Sequence, residues 1–111
     1  MHFIPSEQEK LLLSVAGMLA SHRKERNIRL NYPETVAYLS CWVIEEARAG
    51  NLTVEQLMKA RKYDQTGADT GEDVLTREDV MDDVPGMLTM LQVEATFPDG
   101  RKLVTLHNPV K

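Results

Sequence analysis

The chain has 111 residues, with 13 Lys+Arg against 17 Asp+Glu and a formal charge of −4, a length that supports one domain around one core. At 42% hydrophobic and 27% charged, it has an ordinary globular composition, which excludes a disordered tail or a collagen-like chain. The acidic balance excludes a binder that lives on nucleic-acid phosphate contacts, and the single cysteine, Cys41, excludes an internal disulfide and points to a reducing compartment.

The opening Met-His-Phe-Ile-Pro-Ser-Glu-Gln-Glu-Lys has no basic stretch ahead of a long apolar run, so no secretory signal is expected. No apolar run approaches the ~20 residues needed to cross a bilayer. A soluble, cytoplasmic protein is the expectation. Ser6-Glu7-Gln8-Glu9 has the form of a capping box, which satisfies orphan N–H groups at a helix start. Leu11, Leu12, Val15, Ala16, Leu19 and Ala20 then recur at helical spacing, as expected of a core-facing stripe. Arg23, Lys24 and Arg26 close this first helix, about 6–26, with the charge its dipole favours. After the linker Ile28-Arg29-Leu30, Asn31 and Pro33 open a second helix over 32–49, with Val36, Leu39, Val43, Ile44 and Ala47 facing in and Gly50 stopping it. Thr53-Val54-Glu55-Gln56 is a further capping box, for a helix over 54–62 with Val54, Leu57 and Met58 inward.

From Tyr63 to Asp73 the sequence holds two glycines, four acidic residues and no aliphatic side chain beyond Ala68. The segment 63–74 is therefore expected to be an exposed, mobile loop. Thr76-Arg77-Glu78-Asp79 begins a fourth helix over 77–84 that carries Val80, Met81 and Val84. Leu91, Val93, Ala95 and Phe97 then alternate with polar residues, Pro98-Asp99-Gly100 turns the chain, and a second strand runs to His107. The expected fold is α+β: three to four helices followed by a C-terminal antiparallel β-hairpin over about 91–107, all in one domain of residues 1–111. A lone hairpin is marginal, so it must lie on the helices or on another chain's sheet.

The residues assemble no chemistry. His2, His22 and His107 fall in a tail, near a helix end and at a strand end, with no metal-ligand spacing among them. Cys41 beside Trp42 reads as a small core residue. The cluster Gly67-Ala68-Asp69-Thr70-Gly71 lacks the lysine of a phosphate loop and is acidic. Glu45-Glu46 and Asp82-Asp83 point about 100° apart on a helix and are not preset to share a proton. The run His22-Arg23-Lys24-Glu25-Arg26, with Arg29, reads first as a helix end and second as a partner-facing patch. Met87 and Met90 read first as core filling and second as an adaptable interface. No catalytic, cofactor-binding or metal-binding residue is assigned, and what is left points to association.

Four stretches carry a family resemblance. Leu30-Asn31-Tyr32-Pro33-Glu34-Thr35-Val36-Ala37 is similar to the L-N-Y-P-E-A-V-A segment of urease gamma subunits. Val93 through Pro109, V-E-A-T-F-P-D-G-R-K-L-V-T-L-H-N-P, resembles that family's closing hairpin nearly residue for residue. Pro5–Lys10 with Leu11-Leu12-Leu13, and Leu75–Met81 with Val84-Pro85, match in the same order. The resemblance implies a noncatalytic subunit of a nickel-dependent urea amidohydrolase. Two nickel ions, held by the large alpha subunit and not by this chain, would activate water against urea. The alpha and beta subunits would be the partners, with maturation proteins acting through the complex, and this chain would help build a trimer of alpha-beta-gamma units. Tyr32, Pro33, Phe97, Val104 and His107 are the candidate contact residues, and Phe97→Asp is expected to impair assembly, because a side chain on the hairpin's apolar face would become a buried, unpaired charge.

Two departures stand out. The segment between Lys62 and Val74 is longer than the family pattern, as a surface insertion would be. Glu45-Glu46-Ala47-Arg48-Ala49-Gly50 differs slightly from the usual E-G-A-R-D-G. A chain ending at Lys111 suggests a gamma subunit not fused to its partners. Two other readings remain at this point: a free-standing module whose hairpin edge adds to a partner's sheet, and a small enzyme in its own right, which needs a pocket with perturbed titratable groups.

Overall fold

The structure is a computed structural model and describes residues 5–111, with side chains from residue 8 onward. His2 therefore lies outside the described residues, and the Ser6 side chain on which the expected capping box depends lies outside the described side chains. The order is α1 (Pro5–Glu25), α2 (Tyr32–Ala49), α3 (Val54–Met58), β1 (Arg61–Tyr63), β2 (Asp69–Asp73), a 3₁₀ turn (Arg77–Asp79), α4 (Val84–Met87), β3 (Met90–Phe97) and β4 (Gly100–His107). This is the expected α+β class, four helices and a closing antiparallel hairpin. The helix α2 forms the middle layer, with α1 on one side and β3 on the other.

Local chemistry explains the ends of α2. The Asn31 N–H donates to Glu34 Oε1 and the Glu34 N–H to Asn31 Oδ1, both at 2.9 Å, so two orphan donors are satisfied reciprocally. Gly50 stops the helix in the left-handed region at φ 78° and abuts the final hairpin, because a Cβ there would lie 2.7 Å from Pro98 Cγ. Leu39, Val43 and Ala47 are buried as expected, with Val36 and Ile44 packed against the same core.

The helix α1 reverses the expected orientation. Leu11, Leu12, Val15 and Leu19 are exposed, as is Ala16, and of the anticipated inward stripe only Ala20 is buried. The opposite face meets α2 through small residues. A Cβ on Gly17 would sit 2.3 Å from Cys41 Sγ and 3.2 Å from the Ala37 carbonyl oxygen, so glycine is what allows the two helices to approach this closely. The Cys41 thiol donates to the Leu13 carbonyl at 3.2 Å across this contact.

Two further segments differ from expectation. The helix expected over 54–62 ends at Met58; Lys59 caps it, and Ala60 at φ 52° redirects the chain into β1. The expected mobile loop 63–74 instead contains a strand pair: β1 and β2 pair antiparallel, Arg61 opposite Asp73 and Tyr63 opposite Asp69. Asp64 builds the turn by accepting from the Thr66 N–H at 2.8 Å and the Ala68 N–H at 3.0 Å, and Arg61 ties the strands by pairing with Asp69 at 2.9 Å and Asp73 at 3.2 Å. Polar pairing substitutes for an apolar face, which is why hydrophobic periodicity is silent here.

The expected helix 77–84 is likewise divided. Its predicted start exists, with the Thr76 N–H donating to Asp79 Oδ2 at 2.8 Å. Val80 then goes extended to bridge Leu30: the Leu30 N–H donates to the Asp79 carbonyl and the Met81 N–H to the Leu30 carbonyl, each at 2.9 Å. This pairing buries Leu30 and Val80 completely, a gain that continuing the helix would forfeit.

The strands β3 and β4 pair in unbroken register from Met90↔His107 to Phe97↔Gly100. Val93, Ala95 and Phe97 of β3, with Val104 and Leu106 of β4, form the inner face and are buried. They lie in one cluster with Leu39 and Val43 of α2.

Candidate functional site

Among the described residues no group of three His, Cys, Asp or Glu side chains converges to hold a metal ion. His22 lies in the last turn of α1 and His107 at the end of β4, and both are exposed. Nickel has no such donor set among these residues. Burial pushes the Cys41 thiol above its ordinary value, with the Glu45 charge adding to the effect. A thiol held protonated in this way is a poor nucleophile. No helix among the described residues is long and apolar enough to cross a membrane.

Two of the cations singled out in sequence, Arg23 and Arg29, are engaged within the chain. Arg23 pairs with Glu34, whose carboxyl is held below its usual value first by the Asn31 backbone N–H and then by Arg23. Arg29 donates to the Val80 carbonyl at 2.7 Å and to Asp82 at 2.6 Å. These two members of the basic run therefore lock α1 and its linker onto α2 and the 79–82 segment.

What remains is apolar surface. The outward side of α1 presents Leu11, Leu12, Val15, Met18 and Leu19, from 47% to 69% exposed. Their spacing places them on one side of a helix over about two turns. Scattered surface leucines are ordinary, but a contiguous apolar stripe marks a contact surface. Met87 and Met90, read first as core filling, are instead more than half exposed, as is Leu103.

The five candidate contact residues separate into two groups. Tyr32 and Pro33 at the start of α2 and His107 at the end of β4 are exposed. Phe97 and Val104 are buried in the chain's own core, so an Asp at position 97 would damage this fold before it reached any partner. Sequence reasoning missed the α1 stripe because periodicity locates a stripe without saying which way it faces. A signal was available: Gly17 and Ser21, one turn apart on the opposite side, are the small residues that let helices touch closely.

A third feature lies between the two helices. Ser14, Gly17 and Ser21 of α1 face Tyr38, Cys41 and Trp42 of α2 across a groove of about 450 Å³ that Met18 and Glu45 also line.

Comparison with known proteins agrees with this picture of a contact-bearing chain. The family model described as urease, gamma subunit, matches residues 1–110. The chain is 52% identical over 111 residues to the urease subunit gamma of Halalkalibacterium halodurans, covering 100% of both chains. It is also 52% identical over 110 residues to the urease subunit gamma of Bacillus subtilis, covering 99% of this chain and 94% of that relative. With a match this long and this similar, the chain belongs to the urease gamma-subunit family.

Proposed function

We propose that this chain is the noncatalytic gamma subunit of a cytoplasmic urease, a single domain over residues 1–111. It supports hydrolysis of urea to ammonia and carbamate at a di-nickel site held by the alpha subunit. Its work is assembly: it packs on alpha, with beta completing the unit, and helps join three such units. Maturation proteins reach it through the complex. The chain alone is inactive.

The observation that carries this reading is the outward apolar stripe on α1. Burying such a stripe against a partner recovers roughly 25 cal/mol per Å² of apolar surface removed from water, and no other described element of this chain covers it. Tyr32, Pro33 and His107 are the exposed candidates for the remaining contact. Phe97 and Val104 act indirectly, by holding the hairpin on α2.

The test is native mass spectrometry of the tagged chain recovered from its own cells, with nickel analysis and a urease assay on the same sample. Two further chains in equal number, about two nickel ions per unit and urea hydrolysis are expected. A bare monomer, or a complex without nickel, overturns the reading. In the same preparation, the double variant Leu12→Asp with Val15→Asp is expected to abolish recovery of the partner chains while the isolated subunit keeps its helical circular dichroism.

A further inference from the structure

The groove between α1 and α2 has a chemical character that the apolar stripe alone does not explain. Its α1 wall is low, because Ser14, Gly17 and Ser21 carry small side chains or none, and its α2 wall carries the Trp42 indole. Glu45 lies three residues beyond Trp42, so both project from the same side of the helix onto the groove. The Glu45 carboxylate is close enough for its charge to act on Cys41 in the groove. Among the described residues no Lys or Arg comes within ion-pair distance of it.

The Tyr38 ring has a cation of its own chain nearby, with Lys24 Nζ 5.9 Å from its centroid. Among the described residues Trp42 has no such neighbour. A half-buried indole that packs on the core and also lines the groove, followed by a carboxylate, suits a side chain with a long apolar stem and a positive head. A planar guanidinium stacks on the ring and forks onto the carboxylate together, which an ammonium cannot do. Met18 belongs both to the groove lining and to the exposed stripe of α1, so whatever covers the stripe also reaches the groove.

We propose that the α1–α2 groove receives an arginine side chain from the partner subunit that covers α1, with its guanidinium set between the Trp42 ring and the Glu45 carboxylate. This inference rests on the reading of the chain as an assembled gamma subunit and names the chemistry its partner presents.

The test uses the co-purified complex, with dissociation followed by native mass spectrometry across a salt series. Glu45→Gln is expected to weaken association about tenfold at low salt and to flatten its salt dependence. Trp42→Phe, which keeps an aromatic face, is expected to retain most of the binding, and Glu55→Gln, an exposed carboxylate away from the groove, to match the parent. Association and salt dependence unchanged in Glu45→Gln would overturn the proposal. Where the parent chain itself recovers no urease subunits, the assembly reading fails first, and the groove is then judged on the isolated full chain. Trp42 is the chain's single tryptophan, so its emission reports this groove. A response to N-acetyl-arginine amide that exceeds the response to N-acetyl-norleucine amide and is lost in Glu45→Gln upholds the groove's specificity; equal responses overturn it.

Discussion

The two hairpins of this molecule have the same topology and opposite physics. The β3–β4 pair runs eight residues a side in continuous register, with one face of Val93, Ala95, Phe97, Val104 and Leu106 buried against α2. The β1–β2 pair is shorter and irregular, and residues 69–72 of β2 are all exposed. It is held by the Asp64 turn, by Arg61 bonding to Asp69 and Asp73, and by Lys62 pairing with Glu72. One hairpin is ordered by water leaving apolar surface and is part of the core. The other is ordered by charge and hydrogen bonds at the surface, where each contribution is small. Strand pairing is thus a geometry that either force can produce, and only the first force ties it to global stability.

That contrast can be broken at its strongest point. Phe97→Asp places an uncompensated carboxylate in the core and should cost roughly 3–5 kcal/mol, enough to unfold much of the chain in urea titrations followed by circular dichroism. A loss under 1 kcal/mol would mean that β3–β4 does not anchor the core. At the other extreme, shortening Thr66–Glu72 removes no core side chain and should leave stability within about 1 kcal/mol. Urea hydrolysis by the assembled complex should then be nearly unchanged. A large fall in turnover with the complex intact would assign β1–β2 a role that its charge pairing does not suggest.

Acid sharpens the comparison with the smallest overall effect. The Asp64 carboxyl is held below its usual value first by the Thr66 hydroxyl and then by the Ala68 N–H. Asp69 is lowered first by the Gly71 N–H, with Arg61 adding to it. A carboxyl lowered by folding stabilises the fold above its unfolded value, and that contribution disappears as pH falls through the lowered folded value. Below about pH 4, amide exchange should therefore accelerate in β1–β2 while β3–β4 stays protected. Simultaneous loss in both hairpins would contradict the separation of forces.

How much was legible in sequence follows the same division. The β3–β4 hairpin shows itself through strict alternation and a Pro-Asp-Gly turn, because a half-buried sheet enforces a period of two. The α2 start is legible in Asn31-Tyr32-Pro33-Glu34, because a capping box is a contact between residues three apart. The β1–β2 hairpin is not legible by hydrophobicity, since Arg61, Asp69 and Asp73 leave no apolar pattern. The segment 77–84 misleads for a different reason: its cap is genuine, but Val80 gains more by pairing with Leu30, fifty residues away in the chain. The groove at Trp42 and Glu45 was half visible. Sequence shows Trp42 beside a core cysteine and Glu45 as one of an adjacent carboxylate pair, and only packing places them beside Ser14 and Gly17.

The amino-acid sequence by itself determined the α+β class, both caps of α2, the N-cap of α3, the final hairpin, and membership of the urease gamma-subunit family. Each of these rests on interactions between near neighbours or on a pattern that repeats along the chain. Tertiary structure alone decided which way α1 faces. Its helix has an apolar side and a small-residue side, and local energetics are nearly the same whichever one meets α2. The small side wins because Gly17 lets the backbone approach Cys41, and that choice leaves Leu11, Leu12, Val15, Met18 and Leu19 in water with surface to offer a partner.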